Sequence, residues 1–196
     1  MNKNASKLTA AEQETLLGLA RESLREFVRT GGQPRVGELS LSAALHEPRA
    51  CFVTLHHQGE LRGCIGNTQP RDPLFSPVIN NACGAAFRDT RFSSVQGTEI
   101  PELEIEISVL TEPTPLAFTS PEDLLSKLRP NVDGVLLKVD GRTVTFLPQV
   151  WEKIPAPADF MDELARKAHF PASAWQERGT VISTYQVESF TSAPTV

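Results

Sequence analysis

Apolar side chains recur at helical spacing between residues 16 and 28, where Leu16, Leu19, Ala20, Leu24, Phe27 and Val28 fall on one stripe. Thr9-Ala10-Ala11-Glu12 ahead of them forms a capping box, and Gly31-Gly32 stops the run, so the pattern predicts an amphipathic helix. The period then shortens. Residues 50–56 and 61–65 read as strands on either side of Gln58-Gly59, a turn in which glycine accepts positive φ, and together they predict a β-hairpin. Asp72-Pro73 predicts a capped second helix with Leu74, Val78, Ala82, Ala85, Ala86 and Phe87 on its buried stripe. The clearest strand follows, with Leu103, Ile105, Ile107 and Val109 alternating against Glu104, Glu106 and Ser108. Ser120-Pro121-Glu122-Asp123 opens a short helix to residue 128, and residues 134–139 and 142–147 form a second hairpin across Asp140-Gly141. A helix over 158–169 and one strand over 180–190 complete the series. Strands that meet through hairpins, without regular βαβ repeats, point to an α+β protein with a mainly antiparallel sheet and flanking helices.

The 196 residues, 40% of them hydrophobic, suffice for one core or one core with a smaller lobe attached. With 24 acidic against 19 basic side chains and a net charge of −5, the chain offers no basic patch, so nucleic acid is a poor candidate partner. There is no apolar run long enough to span a bilayer and no secretory h-region near Met1, so a cytoplasmic protein is expected. Three cysteines without CxxC spacing fit reduced thiols.

Candidate chemistry concentrates in Leu61-Arg62-Gly63-Cys64-Ile65-Gly66, where two glycines occupy a strand that would favour β-branched residues. They imply close backbone approach, a bulge or room for a ligand. In a regular two-residue hairpin His57 pairs with Glu60, Leu55 with Arg62 and Val53 with Cys64, which puts Cys51, Val53, Leu55, Arg62 and Cys64 on one face. Arg62 then favours a Cys64 thiolate, making an activated nucleophile or a redox-sensitive thiol. The competing reading makes Cys64 a small packed hydrophobe and Arg62 a surface cation. Cys51 lies diagonal to Cys64 on that register, within reach of an oxidised pairing if the backbone permits.

Arg88, Asp89 and Arg91 form either an anion-binding group or a charged helix end. Glu104 and Glu106 supply either a general base or a solvated strand face. The four histidines and three cysteines have no metal-ligand spacing, and no phosphate-binding loop or nucleophile elbow is present. Trp151 and Trp175 read as packing anchors. The sequence names no cofactor.

The LRGCIG hexapeptide, with Ala86-Phe87-Arg88-Asp89-Thr90-Arg91-Phe92, Glu102-Leu103-Glu104-Ile105-Glu106-Ile107-Ser108-Val109-Leu110 and Phe146-Leu147-Pro148-Gln149-Val150, resembles the AMMECR family, also called AmmeMemoRadiSam system protein A. The resemblance implies one domain over residues 8–190 with a larger and a smaller lobe and the cysteine motif near a cleft between them, residues 1–7 and 191–196 being flexible tails. It carries Arg62, Gly63, Cys64 and Gly66 over as motif positions, and Arg88, Asp89, Arg91, Glu104 and Glu106 as site candidates. Two functions follow as expectations. One is an enzyme with Cys64 as nucleophile, Arg62 stabilising it, Glu104 or Glu106 moving a proton, and Gly63, Gly66 and the arginines holding a small or anionic substrate. The other is a non-catalytic module accessory to a Memo-like or radical SAM partner.

Overall fold

The computed structural model describes residues 7–32, 40–177 and 179–194, which fall into two compact units. One comprises Met1–Leu110 with Glu188–Val196, and the other is Thr111–Val187.

In the first unit, helix α1 (Ala10–Thr30) begins with the expected capping box, in which Thr9 Oγ1 accepts from the Glu12 amide and Glu12 accepts from the Thr9 amide at 2.8 Å. Gly31 ends it at φ 73°. Strands β1 (Cys51–His57) and β2 (Glu60–Gly66) form the expected hairpin, with Gln58 and Gly59 both at positive φ. Helix α2 (Phe75–Phe87) starts later than Asp72-Pro73 suggests. Pro73 forms a bridge with Pro48, and the Leu74 amide donates to the Glu47 carbonyl at 3.0 Å, so this segment is held in place before the helix can begin. Strand β3 (Leu103–Leu110) keeps its alternation, and β8 (Val187–Ser192) lies beside it, giving the sheet order β2-β1-β3-β8.

One face of this sheet is covered by the helices, through a core that includes Leu16, Leu24, Val53, Leu55, Val78, Ala82, Ile105 and Ile107. Phe27 of α1 stacks on Phe87 of α2 with centroids 4.4 Å apart. Arg21 is 6% exposed, a cost met by donating its guanidinium to the carbonyls of Ile100, Leu103 and Ala193 and to Ser192 Oγ. The expected C-terminal tail therefore begins later than residue 191, because β8 runs through Ser192. Residues 195–196, and residues 1–6 of the expected N-terminal tail, lie outside the described residues.

The second unit contains β4 (Thr114–Pro115), α3 (Pro121–Lys127), β5 (Gly134–Val139), β6 (Arg142–Phe146), α4 (Pro157–Lys167) and β7 (Val181–Tyr185), with sheet order β4-β7-β5-β6. Its core is built on Trp151 stacked against Phe160 at 3.7 Å, and Trp175 is also buried. The expected single strand over 180–190 is two strands, β7 and β8, in different sheets. They part at Gln186, which exchanges hydrogen bonds with Thr111 and donates to Asp133 Oδ1 at 3.1 Å. Both sheets are antiparallel in every pairing described, so the architecture is α+β. Among the described residues no helix is long and apolar enough to cross a membrane.

Candidate functional site

The hexapeptide is shaped by how closely β2 approaches α2. A Cβ on Gly63 would stand 2.1 Å from the Ala85 carbonyl oxygen, so only glycine allows the strand to lie there. Gly66 lies under the Phe52 ring, which would be 2.2 Å from a Cβ. Both glycines thus have a packing reason within this unit.

Gly63 also sets the register. Leu55 pairs with Gly63 and His56 with Leu61, leaving Arg62 as the extra residue of a β-bulge. The regular pairing of Leu55 with Arg62 and Val53 with Cys64 is therefore corrected: Cys64 lies opposite Thr54. A period of two plus one extra residue sends every later side chain to the other face. Cys64 joins Thr54 on the face away from the helices, while Cys51, Val53 and Leu55 point into the core. The single face expected to hold Cys51 and Cys64 together does not form, and the three cysteines are free thiols.

Arg62 is consumed elsewhere. Its guanidinium donates to Glu99 through Nε at 2.9 Å and to the Ser93 carbonyl at 2.7 Å, tying the bulge to the segment after α2. This hydrogen bonding from Arg62 lowers the Glu99 pKa, against the opposing effect of burial. The cation beside Cys64 is instead Arg91, whose Nη2 donates to the Cys64 carbonyl at 3.3 Å.

Three contacts fix Cys64. Its amide donates to Asp89 Oδ2 at 2.9 Å, its carbonyl accepts from Arg91, and its Sγ accepts from Thr54 Oγ1 at 3.3 Å. Asp89 and Arg91 form a two-point pair, Nε to Oδ1 at 2.9 Å and Nη2 to Oδ2 at 2.7 Å. The Arg91 hydrogen bonds, with those from the Cys64 and Arg91 amides, hold the Asp89 carboxyl at a pKa of about 2 although burial opposes them. Arg88 is not brought to the thiol; it folds back onto the Asn80 carbonyl of α2 at 3.0 Å.

Glu106 pairs with Thr54 across β1 and β3, and Glu104 pairs with His56. Glu106 Oε1 accepts from Ser108 Oγ at 3.1 Å, and Ser108 Oγ lies 2.8 Å from Ser189 Oγ of β8. Burial pushes the Cys51 thiol up to about 12 and also raises Cys83, so neither supplies a thiolate near neutral pH. Among the described residues no group of three or more His, Cys, Asp or Glu side chains could hold a metal ion. Sequence reasoning missed Thr54, whose polarity between Val53 and Leu55 already marks it as outward facing. It also missed the Glu99 partner of Arg62, for which no local signal exists.

The family model described as AMMECR1 matches residues 17–190. A protein of Methanothermobacter thermautotrophicus is 34% identical over 184 residues, covering 93% of this chain and 95% of its own length. A Methanopyrus kandleri protein is 32% identical over 192 residues, covering 94% and 90%. The crystal structure of an uncharacterized protein from Pyrococcus horikoshii superposes with a TM-score of 0.90 at 30% identity, covering 96% of each chain.

Proposed function

The chain belongs to the AMMECR1 family, and on that premise we propose that the sheet face around Cys64 is a thiol-dependent catalytic site for a small anionic substrate. One observation carries this reading: of the three cysteines Cys64 alone lies off the core, and its sulfur and both sides of its peptide are fixed by Thr54, Asp89 and Arg91. A nucleophile held this way has little orientational freedom to lose on the way to reaction.

Donation from the Thr54 hydroxyl favours negative charge on sulfur, and Glu106, opposite Thr54, takes the thiol proton. The Arg91 guanidinium, more than half exposed with Nη1 uncommitted to Asp89, holds the substrate anion. For an acyl substrate, a sulfur–carbon bond forms as the bond to the leaving group breaks. The leaving group takes the proton from Glu106, and water then cleaves the thioester to restore the thiol.

A second reading, an accessory module for a Memo-like or radical SAM partner, is favoured by the internal duties of Gly63, Gly66 and Arg62, which account for most of the hexapeptide without a ligand. Alkylation by iodoacetamide separates the two. Under the catalytic reading Cys64 reacts faster at neutral pH than glutathione does, and Thr54→Val slows it roughly tenfold, the loss of ~1.4 kcal/mol from a hydrogen bond to charged sulfur. An inert thiol, or one indifferent to Thr54→Val, would leave the accessory reading standing.

A further inference from the structure

Away from the thiol face, residues 67–72 and the first half of α2 border an open pocket of about 450 Å3, in the range of small-molecule sites and lined by none of the residues around Cys64. Its wall is braced by carboxamides. Asn81, 8% exposed, donates from Nδ2 to the Cys51 carbonyl at 3.0 Å and to Asn67 Oδ1 at 3.1 Å. Asn67 donates in turn to the Gln69 carbonyl at 2.8 Å, and Arg71 Nη2 donates to Gln69 Oε1 at 2.6 Å. These contacts spend the donors of Asn81 and leave its Oδ1 without a hydrogen bond among the described residues, on a side chain that lines the pocket.

Arg71 donates to Gln69 but makes no ion pair among the described residues, and the neighbouring Asp72 carboxylate makes neither an ion pair nor a hydrogen bond there. A cation and an anion without an ion pair among the described residues, and an amide oxygen without a hydrogen bond there, line one opening with Pro77 and complement a ligand that carries both charges. A lone anion would leave Asp72 opposing it, and a lone cation would leave Arg71 opposing it.

We propose that this pocket binds a small zwitterion of the free amino-acid class, its carboxylate on Arg71 and its ammonium on Asp72 and Asn81 Oδ1. The volume leaves room for a side chain against Pro77.

The test is ligand-observed NMR by saturation transfer on the full chain, with glycine, L-glutamine and L-glutamate as probes beside their N-acetyl and methyl-ester derivatives. At least one free amino acid is expected to bind, with the N-acetyl and ester forms each weaker by about tenfold or more. Asp72→Asn should erase the discrimination against the N-acetyl form, and Arg71→Gln that against the ester. Both side chains are exposed, so an unchanged melting temperature shows that the variants remain folded. Cys64→Ser should leave binding intact. No saturation transfer to any free amino acid, or equal binding of free and blocked forms, overturns the proposal.

Discussion

Gly63 and Gly66 lie in one strand, yet a methyl group added at each would meet a different obstacle. At Gly63 the obstacle is the Ala85 carbonyl, fixed within a helix, whereas at Gly66 it is the Phe52 ring, whose Cγ would stand 2.2 Å away, so that side chain must swing as a whole about χ1. Gly63→Ala is therefore expected to destabilise the chain by roughly 3 kcal/mol and Gly66→Ala by about 1 kcal/mol, measured as shifts in the urea midpoint. Equal effects would mean that the approach of β2 to α2 is not rigid. Asp89 makes a second prediction at this scale. Its carboxyl is held at about 2 in the folded chain against an ordinary 3.8, so the unfolded chain binds more protons between these values. Its contribution to stability is present above about pH 4 and is lost as the pH falls toward 2. Asp89→Asn should flatten that part of the stability profile, and an unchanged acid limb in urea titrations at stepped pH would refute the assignment.

At the scale of elements, the bulge decides which way the cysteine faces. Deleting Arg62 should restore a regular hairpin while keeping Leu55 opposite Gly63 and Thr54 opposite Cys64. The deletion variant is expected to leave Cys64 on the outer face, still open to alkylation, at a stability loss of about 2 kcal/mol from the Glu99 and Ser93 contacts. Burial of Cys64 in that variant would show that Arg62 holds the register as well as filling it. The bulge was not legible in the sequence, because it depends on how near α2 comes to Gly63, a distance that no local pattern encodes. The ends of α1 and the two hairpin turns were legible for the opposite reason. Thr9 and Glu12 cap each other within four residues, and Gln58-Gly59 and Asp140-Gly141 carry their positive φ in the turn itself. The start of α2 was misplaced because Pro48 and Glu47, distant in sequence, hold Pro73 and Leu74. Of the candidate site, the hexapeptide and Asp89 with Arg91 could be read as motif residues. Their joining through the Cys64 peptide required the fold.

At the scale of the whole molecule, the first unit is assembled from two stretches of chain separated by the second. The alternation over 180–190 reads as one strand because nothing in its polarity changes at Gln186; pairing partners, not propensity, divide it. Truncation after Val187 removes Glu188, which accepts from the Leu8 amide, and strips buried Arg21 of Ser192 and Ala193. Loss of acceptors around a buried cation is expected to cost the first unit roughly 3 kcal/mol or more. Hydrogen exchange should show α1 and β3 losing protection while β5 and β7, with their own core, keep theirs. Unchanged protection of β3 would mean that β8 lies outside the cooperative unit.

The division at Gln186 also imposes an order in time. During synthesis from the N-terminus, the second unit leaves the ribosome before Glu188–Ser192 of β8 do, so that unit can close first. The first unit, although its strands β1, β2 and β3 are made earliest, must wait with one edge of β3 uncovered until β8 has been made. Nascent chains of this protein are thus open to wrong strand pairing at that edge for as long as the second unit is being made.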